Sequence, residues 1–155
     1  KSGFLFNLGT REDIQQRIKT SFLFKIYEEA GKIMGFIDIN KEIYFPQDAD
    51  NIIWFDKQLK DSYFHSQNAT VLHTIAVDQY STGKGIASAL LENCLDELKG
   101  RYTHLFSIIT TGPVTNCPSL LFHSRHGFSR ACVTMPLDLF GMKNYQSTLL
   151  YKNIS

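Results

Sequence analysis

A chain of 155 residues is long enough to bury one hydrophobic core and short for two. A formal net charge of +1 argues against a general electrostatic affinity for nucleic acids or for acidic membrane surfaces. No apolar run reaches the roughly 18 residues that a membrane-spanning helix needs, and Lys1–Leu8 makes a poor signal peptide. We therefore expect a single soluble domain over residues 1–155.

The cysteines favour a reducing compartment. The sequence has three cysteines, Cys94, Cys117 and Cys132, so they cannot all pair within the chain, and their spacing forms no CxxC motif. A disulfide framework is typical of small secreted domains, which this pattern does not resemble. Unpaired thiols and a cytoplasmic location are therefore expected.

The start of the chain predicts a helix followed by a hairpin. Thr10 and Asp13 form a T-x-x-D capping pattern that opens a short helix over residues 11–20. The β-rich runs 22–27 and 33–39 are separated by the letters EEAG, which indicates a hairpin.

Residues 40–69 carry no regular pattern, and irregular segments of this length are often functional. The segment mixes acidic and aromatic side chains, which would suit a cationic, partly apolar ligand. Such aromatic residues also serve simply to pin a loop to the body of a protein, and acidic ones are usually solvated. The side chains concerned are Tyr44, Phe45, Asp48, Asp50, Trp54, Phe55, Asp56, Asp61, Tyr63 and Phe64.

Strands and helices alternate in the middle of the chain. The pattern predicts a strand over 71–77, a helix from Gly85 to Gly100, a strand over 105–110, a helix from Asn116 to Gly127, and strands over 128–135 and 145–152. Because this alternation does not extend to either end, a mixed sheet of the α/β (α+β) class is predicted rather than a fully parallel one.

The turn Gly83-Lys84-Gly85, between a strand and a helix, indicates an anion site. Free N–H groups and the positive end of the helix dipole meet there, and glycine lets the backbone approach a phosphate. A Walker A loop is excluded because Gly85 stands where Ser or Thr is needed, and a dinucleotide fingerprint because Ser88 replaces the third glycine. An ordinary tight turn with a solvated Lys84 stays open at this point.

The run VLHTIAVDQYSTGKGIASALL, from Val71 to Leu91, resembles the acetyl-CoA-binding segment of the GNAT superfamily of N-acetyltransferases. A strand ending in a pattern like L-A-V is followed in that family by [Q/R]-x-x-G-x-[G/A]. Gly85 and Ala87 match the second pattern, whereas Thr82 replaces the usual Gln or Arg.

A second stretch resembles the family pattern N-x-x-[A/S]-x-x-[F/L]-Y-x-x-x-G-F. It matches at Asn116, Ser119, Phe122, Gly127 and Phe128, and it departs at His123, where the family usually has tyrosine. The two patterns span residues 71–128 at the family's spacing. The resemblance implies a mixed, mostly antiparallel central sheet flanked by helices, with the family's first strand and helix missing before Lys1.

The same resemblance implies that acetyl-CoA is the acyl donor and that no metal takes part. The pantetheine arm would add to the strand through backbone groups of Ile75, Ala76 and Val77. Asn116 would contact the cofactor or only cap its helix. The turn that would hold the diphosphate comprises Thr82, Gly83, Lys84, Gly85, Ile86, Ala87 and Ser88.

Two histidines are candidate catalytic residues, although either can also be structural. His73, expected on one strand face with Val71, Ile75 and Val77, would act as the base or hold a water, because a lysine-like amine has a pKa of about 10.4. His123, at the tyrosine position, would protonate the departing thiolate as imidazolium or, when neutral, hydrogen-bond the sulfur.

Two other chemistries are weighed and set aside. His123 and His126 share a helical face, but no third metal ligand lies near them. Cys117 near a helix start has the setting of an activated nucleophile, which direct transfer does not need.

The sequence therefore predicts direct acetyl transfer to a primary amine of a small molecule or peptide, without nucleic acid or membrane partners. A homodimer stays open. The departures at Thr82 and His123 favour a rival, a non-catalytic acyl-CoA-binding regulatory module. A plain scaffold for protein contacts is the third alternative.

Overall fold

A computed structural model of the chain describes residues 9–41, 50–65, 67–139 and 141–155. Its helices are α1 (Arg11–Thr20), α2 (Lys57–His65), α3 (Ile86–Leu98) and α4 (Cys117–Arg125). Its strands are β1 (Leu23–Glu29), β2 (Lys32–Asn40), β3 (Ile52–Trp54), β4 (Ala69–Val77), β5 (His104–Gly112), β6 (Ser129–Thr134), β7 (Leu137–Leu139) and β8 (Met142–Asn153).

The strands form one mixed sheet in the order β1-β2-β4-β5-β8-β6-β3, and β7 pairs with β8 beside this path. The pairing of β4 with β5 is parallel and the other pairings are antiparallel. Helix α3 makes the crossover between the two parallel strands. The predicted mixed, mostly antiparallel sheet flanked by helices is confirmed.

The core is divided between the two faces of the sheet. The adjacent residues Leu105 and Phe106 of β5 belong to different buried clusters, because successive side chains of a strand point to opposite faces. Leu105 lies in the cluster that contains the apolar stripe of α3, and Phe106 packs with Leu59 and Tyr63 of α2. Each face is thus covered by its own helices.

The expectation of an irregular segment over residues 40–69 is wrong for its second half. β3 extends the edge of the sheet by pairing with β6, and α2 buries Leu59 and Tyr63. The rings of Trp54, Tyr63 and Phe64 pack on one another, and Tyr63 also meets Phe106 edge-on at 4.9 Å between centroids. These aromatic residues therefore attach the segment to the core.

Helix starts follow the predicted caps. The Thr10 hydroxyl accepts from the Asp13 N–H while the Asp13 carboxylate accepts from the Thr10 N–H, so both halves of the capping box are formed. Asn116 caps α4 by accepting from the Ser119 N–H at 3.3 Å.

Candidate active site

Strand β4 separates from β5 halfway along its length. Their parallel pairing joins residues 69–72 to 104–107 and stops at that point. From there β4 continues beside β2 as far as Val77, and β5 continues beside β8 as far as Gly112. Within the described part of the chain, no strand pairs with the β5 side of residues 73–77, so a wedge-shaped gap opens in the sheet.

His73 stands where this gap begins. Leu72 lies opposite Ile39 and Thr74 lies opposite Asp38, so His73 is the extra residue of a β-bulge. A bulge bends its strand and increases the local twist. The bulge and the end of the β4–β5 pairing therefore coincide at one residue.

The bulge also corrects the predicted arrangement of side chains along β4. Val71 packs in the cluster that contains Phe106, whereas Ile75 and Val77 pack against the cluster under α3. Strict alternation would have placed all three with His73 on one face. The extra residue shifts that alternation, so the predicted shared face does not exist.

Alternation of the backbone groups determines which of them face the gap. The Asp78 N–H donates to the Met34 carbonyl of β2 at 2.8 Å. Because the groups of successive strand residues point to opposite sides, those of Ala76 also face β2 and those of Ile75 and Val77 face the gap. Of the backbone groups predicted to bind a pantetheine arm, Ile75 and Val77 are thus the available ones.

The glycine turn presents backbone to solvent. Gly83 and Gly85 both have φ of +80°, which favours glycine, and a Cβ on either would meet no described atom within 4 Å. Gly85 is the N-cap of α3, and no side chain in the described residues bonds to that end of the helix. The first N–H groups of α3 have no intrahelical partners by helix geometry. The turn therefore has the space and the donors for a diphosphate.

The Thr82 hydroxyl, a predicted phosphate donor, already has an acceptor within the turn. Its hydroxyl donates to the Gln79 carbonyl at 3.1 Å. Donation from that hydroxyl to a phosphate requires this bond to break, so the grip of the turn depends on backbone groups and on the exposed Lys84.

Gly35 of β2 brings the start of α3 close to the end of β4. A Cβ at this position would lie 2.8 Å from the Ala76 carbonyl oxygen and 3.2 Å from Cγ2 of Ile86. Ile86 is buried in the core beside it, so its side chain anchors the first turn of α3. Only the backbone N–H of Ile86 is therefore available to an anion.

His73 lines a cavity of about 400 Å³ on the other side of β4 from β5. Its side chain is 28% exposed, and its Nδ1 lies 3.1 Å from Thr74 Oγ1 and 3.5 Å from Asp38 Oδ2. The remaining lining residues are Arg17, Thr20, Ser21, Phe22, Asn40 and Lys41. A half-exposed imidazole at the mouth of a polar cavity has the access that a base needs.

His123 is placed very differently. It is 1% exposed, with its ring edge-on to Phe122 and Phe128. Its Nδ1 lies 2.7 Å from the Ser119 carbonyl oxygen, which can only accept, so Nδ1 carries the proton. Nε2 is buried with no hydrogen-bond partner among the described residues.

The charge state of His123 follows from this burial. Desolvation lowers the pKa of His123, the bond to Ser119 opposes that effect, and nearby His126 adds to it. A neutral ring with its proton on Nδ1 accepts at Nε2 and does not donate. The structure therefore weighs against the predicted imidazolium acid and favours the neutral alternative.

The thiols and the described acidic residues of the 50–65 segment show no catalytic arrangement. Cys94, Cys117 and Cys132 are unpaired, and burial raises the pKa of Cys94 and of Cys132 to about 11. Asp56 caps α2 by accepting from the Gln58 N–H at 2.7 Å. The described residues contain no group of three side chains suited to a metal ion. Tyr44, Phe45 and Asp48 lie outside the described residues.

Residues 5–128 match the model of the acetyltransferase (GNAT) family. Because the match spans most of the chain, the protein belongs to this family of acetyltransferases. No curated protein matches the sequence. No helix among the described residues combines the length and apolar character required to cross a bilayer.

Solved structures with the same fold include several GNAT proteins. A protein of Streptococcus mutans UA159 is 18% identical with a TM-score of 0.72, covering 98% of this chain and 82% of its own. The ribosomal-protein-S18-alanine N-acetyltransferase of Escherichia coli is 17% identical with a TM-score of 0.67, covering 95% and 78%. A GNAT acetyltransferase of Elizabethkingia anophelis with acetyl-CoA bound is 16% identical with a TM-score of 0.62, covering 97% and 88%.

Sequence reasoning missed Asp38 and the bulge. The available signal was a single acidic residue in the otherwise apolar strand GFIDI. Buried carboxylates are rare without a partner, so this position was a candidate for a polar network.

Proposed function

We propose that the protein is an N-acetyltransferase that moves an acetyl group from acetyl-CoA directly to a primary amine of a small molecule or peptide. Family membership supports acetyl transfer. The single observation that carries the proposal is the gap between β4 and β5, which begins at the bulged His73 and ends beside the exposed glycine turn.

The described residues fit acetyl-CoA, which supplies a thioester as the activated acyl group. Backbone groups of Ile75 and Val77 would bond its amide-containing arm in the manner of an added strand. The turn at Gly83 and Gly85 would receive the diphosphate on the N–H groups that open α3, with Lys84 adding positive charge.

His73 is the proposed base. An aliphatic amine with a pKa of about 10.4 arrives protonated near neutral pH and must lose that proton before it attacks. With Nδ1 directed to Thr74 and Asp38, the opposite nitrogen Nε2 is directed away from them, where it can take the proton directly or through a water. A backbone N–H in the gap would stabilise the oxyanion on the acyl carbon.

His123, as a neutral ring, would accept a hydrogen bond at Nε2 from the thiol of the coenzyme. No described residue uses the acceptor capacity of Nε2, which supports that role; because the nitrogen is buried, neighbouring side chains must move for the thiol to reach it. The departing thiolate, whose conjugate thiol has a pKa of about 8.5, then takes its proton from water or from His73. No step in this scheme needs a metal ion or a covalent enzyme intermediate.

Two measurements test the proposal. Isothermal titration calorimetry with acetyl-CoA should show binding in the micromolar range typical of metabolic enzymes, roughly 1 μM to 1 mM. A thiol-release assay should then show amine-dependent turnover with at least one member of a panel of alkylamines, arylalkylamines, polyamines and peptides. The panel is broad because the alanine acceptor named for the Escherichia coli protein comes from a neighbour of 17% identity.

The rival regulatory module has its own support. The Thr82 hydroxyl is already bonded, and burial lowers the pKa of His123, which disfavours its acid form. Two family features are therefore altered. Binding of acetyl-CoA without amine-dependent thiol release across the whole panel would establish that module. If no binding of acetyl-CoA is detected, the third alternative, a scaffold for protein contacts, would be favoured.

A further inference from the structure

Asp38 is a carboxylate buried beneath the proposed base. Its side chain is 1% exposed, although the strand that carries it lines an open cavity. An ionised carboxylate is costly to bury unless charges or hydrogen bonds compensate it. The partners of its two oxygens therefore indicate what the residue does.

Only one of these oxygens is well supplied with donors. Oδ1 lies 2.6 Å from Ser21 Oγ and 3.1 Å from Asn40 Nδ2. The Ser21 hydroxyl is also 2.6 Å from the Arg17 carbonyl oxygen, and its single proton serves one acceptor at a time. Oδ2 has no hydrogen-bond partner among the described residues, and Nδ1 of His73 lies 3.5 Å from it.

This arrangement selects one tautomer of His73. If Nδ1 were unprotonated, its lone pair would face the lone pairs of a buried carboxylate oxygen across 3.5 Å, which is repulsive. With the proton on Nδ1, the same nitrogen is attracted to Oδ2 and donates to Thr74 Oγ1 at 3.1 Å. The carboxylate therefore favours the form in which Nε2 carries the free lone pair.

We propose that Asp38 is the positioning residue of the transfer reaction, orienting His73 at the bulge and holding its proton on Nδ1. The proposal rests on the function proposed above. Ser21 and Asn40 orient the carboxylate, the carboxylate orients the imidazole through Nδ1, and Nε2 then carries the lone pair that would accept the amine proton.

The proton balance of the step is complete with these groups. His73 first passes the proton of the ammonium form on to solvent. The neutral amine nitrogen then forms a bond to the acyl carbon, the carbon–sulfur bond breaks, and one remaining N–H proton passes to Nε2 of His73. The imidazolium, paired with the Asp38 carboxylate, returns that proton to the thiolate or to water. No oxidant, reductant or metal is required.

Replacing Asp38 by asparagine tests the role with little change in volume. Ser21 and Asn40 donate toward Oδ1, so the new amide would turn its NH₂ group to His73 and stabilise the wrong tautomer. Asp38→Asn should lower kcat about 10-fold or more, with an unchanged Kd for acetyl-CoA, by analogy with other carboxylate-oriented bases. The matched control is Asp96→Asn, which removes an exposed carboxylate from α3 and should leave kcat unchanged.

A double-mutant cycle separates this role from mere structural support. His73→Gln removes the base, so adding Asp38→Asn to it should change the residual rate by less than about 2-fold. A full further 10-fold loss in the double variant would show that Asp38 acts independently of His73 and would overturn the proposal. Thermal unfolding of each variant reports whether the fold is retained.

The wild-type protein supplies a second test that needs no variant. Nitrogen-15 NMR of the histidine rings should show His73, when neutral, with its proton on Nδ1. A neutral His73 protonated on Nε2 would contradict the inference even if Asp38→Asn fails to fold. Amine-dependent thiol release by wild-type protein distinguishes the two levels: its absence defeats the proposed function, whereas its presence with an unaffected Asp38→Asn variant defeats this inference alone.

Discussion

The two segments that carry the family patterns use their matched residues in opposite ways. In residues 71–91 the candidate functional features are accessible to solvent: a histidine in a β-bulge lines a cavity, and the glycine turn is exposed. In residues 116–128 they support the fold: Asn116 caps a helix and His123 is buried between aromatic rings. The reaction is therefore proposed for the first segment, whereas the matched residues of the second segment mainly support the fold.

The physical origin of this difference is the sheet. Residues 73–77 have β2 on one side and the gap on the other, so the backbone groups of Ile75 and Val77 face the gap and His73 lines the cavity. Helix α4 instead packs Leu120 and Phe122 against the core cluster that includes Phe128. Substitutions in the first segment should affect binding and turnover, and those in the second should affect stability.

The largest effect is expected at His73. His73→Gln should lower kcat for the best amine about 100-fold or more, because general base catalysis typically contributes that much. Its Kd for acetyl-CoA, measured by calorimetry, should not change. His123→Gln is the counterpart from the other segment and should change kcat less than about 3-fold. An equal loss of kcat in both variants would contradict the proposed difference in role between residues 71–91 and residues 116–128.

The next effect is expected at Gly85. Gly85→Ala places a methyl group where the diphosphate is proposed to lie and should weaken acetyl-CoA binding about 10-fold or more, roughly 1.4 kcal/mol. Gly100→Ala is a matched control at the other end of α3, since Gly100 has φ of +74° and a Cβ there meets no described atom within 4 Å. Both variants should lose about 1–2 kcal/mol of stability from the left-handed backbone.

Calorimetry and chemical denaturation on the pair separate steric exclusion of the ligand from backbone strain. Equal weakening of acetyl-CoA binding in the two variants would show that Gly85 acts through strain alone. The diphosphate would then have to be placed elsewhere.

Much of the fold could be predicted from the sequence, because the signals for its helix caps and turns are local. The capping pair at Thr10 and Asp13, the hairpin, and the glycine turn before α3 depend on residues within a few positions of one another, and each formed as predicted. These features follow from propensity and periodicity alone.

The missed features depend on residues that are distant in sequence. The bulge at His73 exists because β2 and β4 change register between Asp38 and Ile39, which neither strand encodes by itself. Helix α2 carries only a few apolar residues and is fixed by packing of Tyr63 on Phe106 of another strand. Tertiary contacts of this kind leave little trace in local patterning.

A smaller effect is expected at Asn116. Asn116→Ala removes the cap of α4 and should reduce the free energy of unfolding by about 1 kcal/mol, with less than a 2-fold change in the Kd for acetyl-CoA. Asn116→Asp keeps a capping oxygen and loses only the amide N–H groups, so it should retain most of the stability. If Asn116→Asp binds acetyl-CoA about 10-fold more weakly, the predicted cofactor contact is real and the second segment also recognises the ligand.

The last prediction concerns the pH dependence of stability at His123, where no change in turnover is expected. Burial lowers the pKa of His123 in the folded protein below the value of about 6.5 that it regains on unfolding. Below about pH 6.5 the unfolded chain takes up a proton at His123 more readily than the folded protein does. The stability of the folded protein is therefore unaffected by His123 above about pH 6.5, and it decreases as the pH falls toward the pKa of His123 in the folded protein.

His123→Phe cannot take up this proton. The difference in unfolding free energy between wild type and His123→Phe should therefore shift against the wild type as the pH falls from 7 to 5, by at most about 1.4 kcal/mol per pH unit. His104, whose pKa is also lowered by burial, contributes to both proteins and cancels in this difference. Parallel stability curves from urea denaturation at each pH would mean that His123 is solvated or charged in the folded state, and the imidazolium acid would again be available to the second segment.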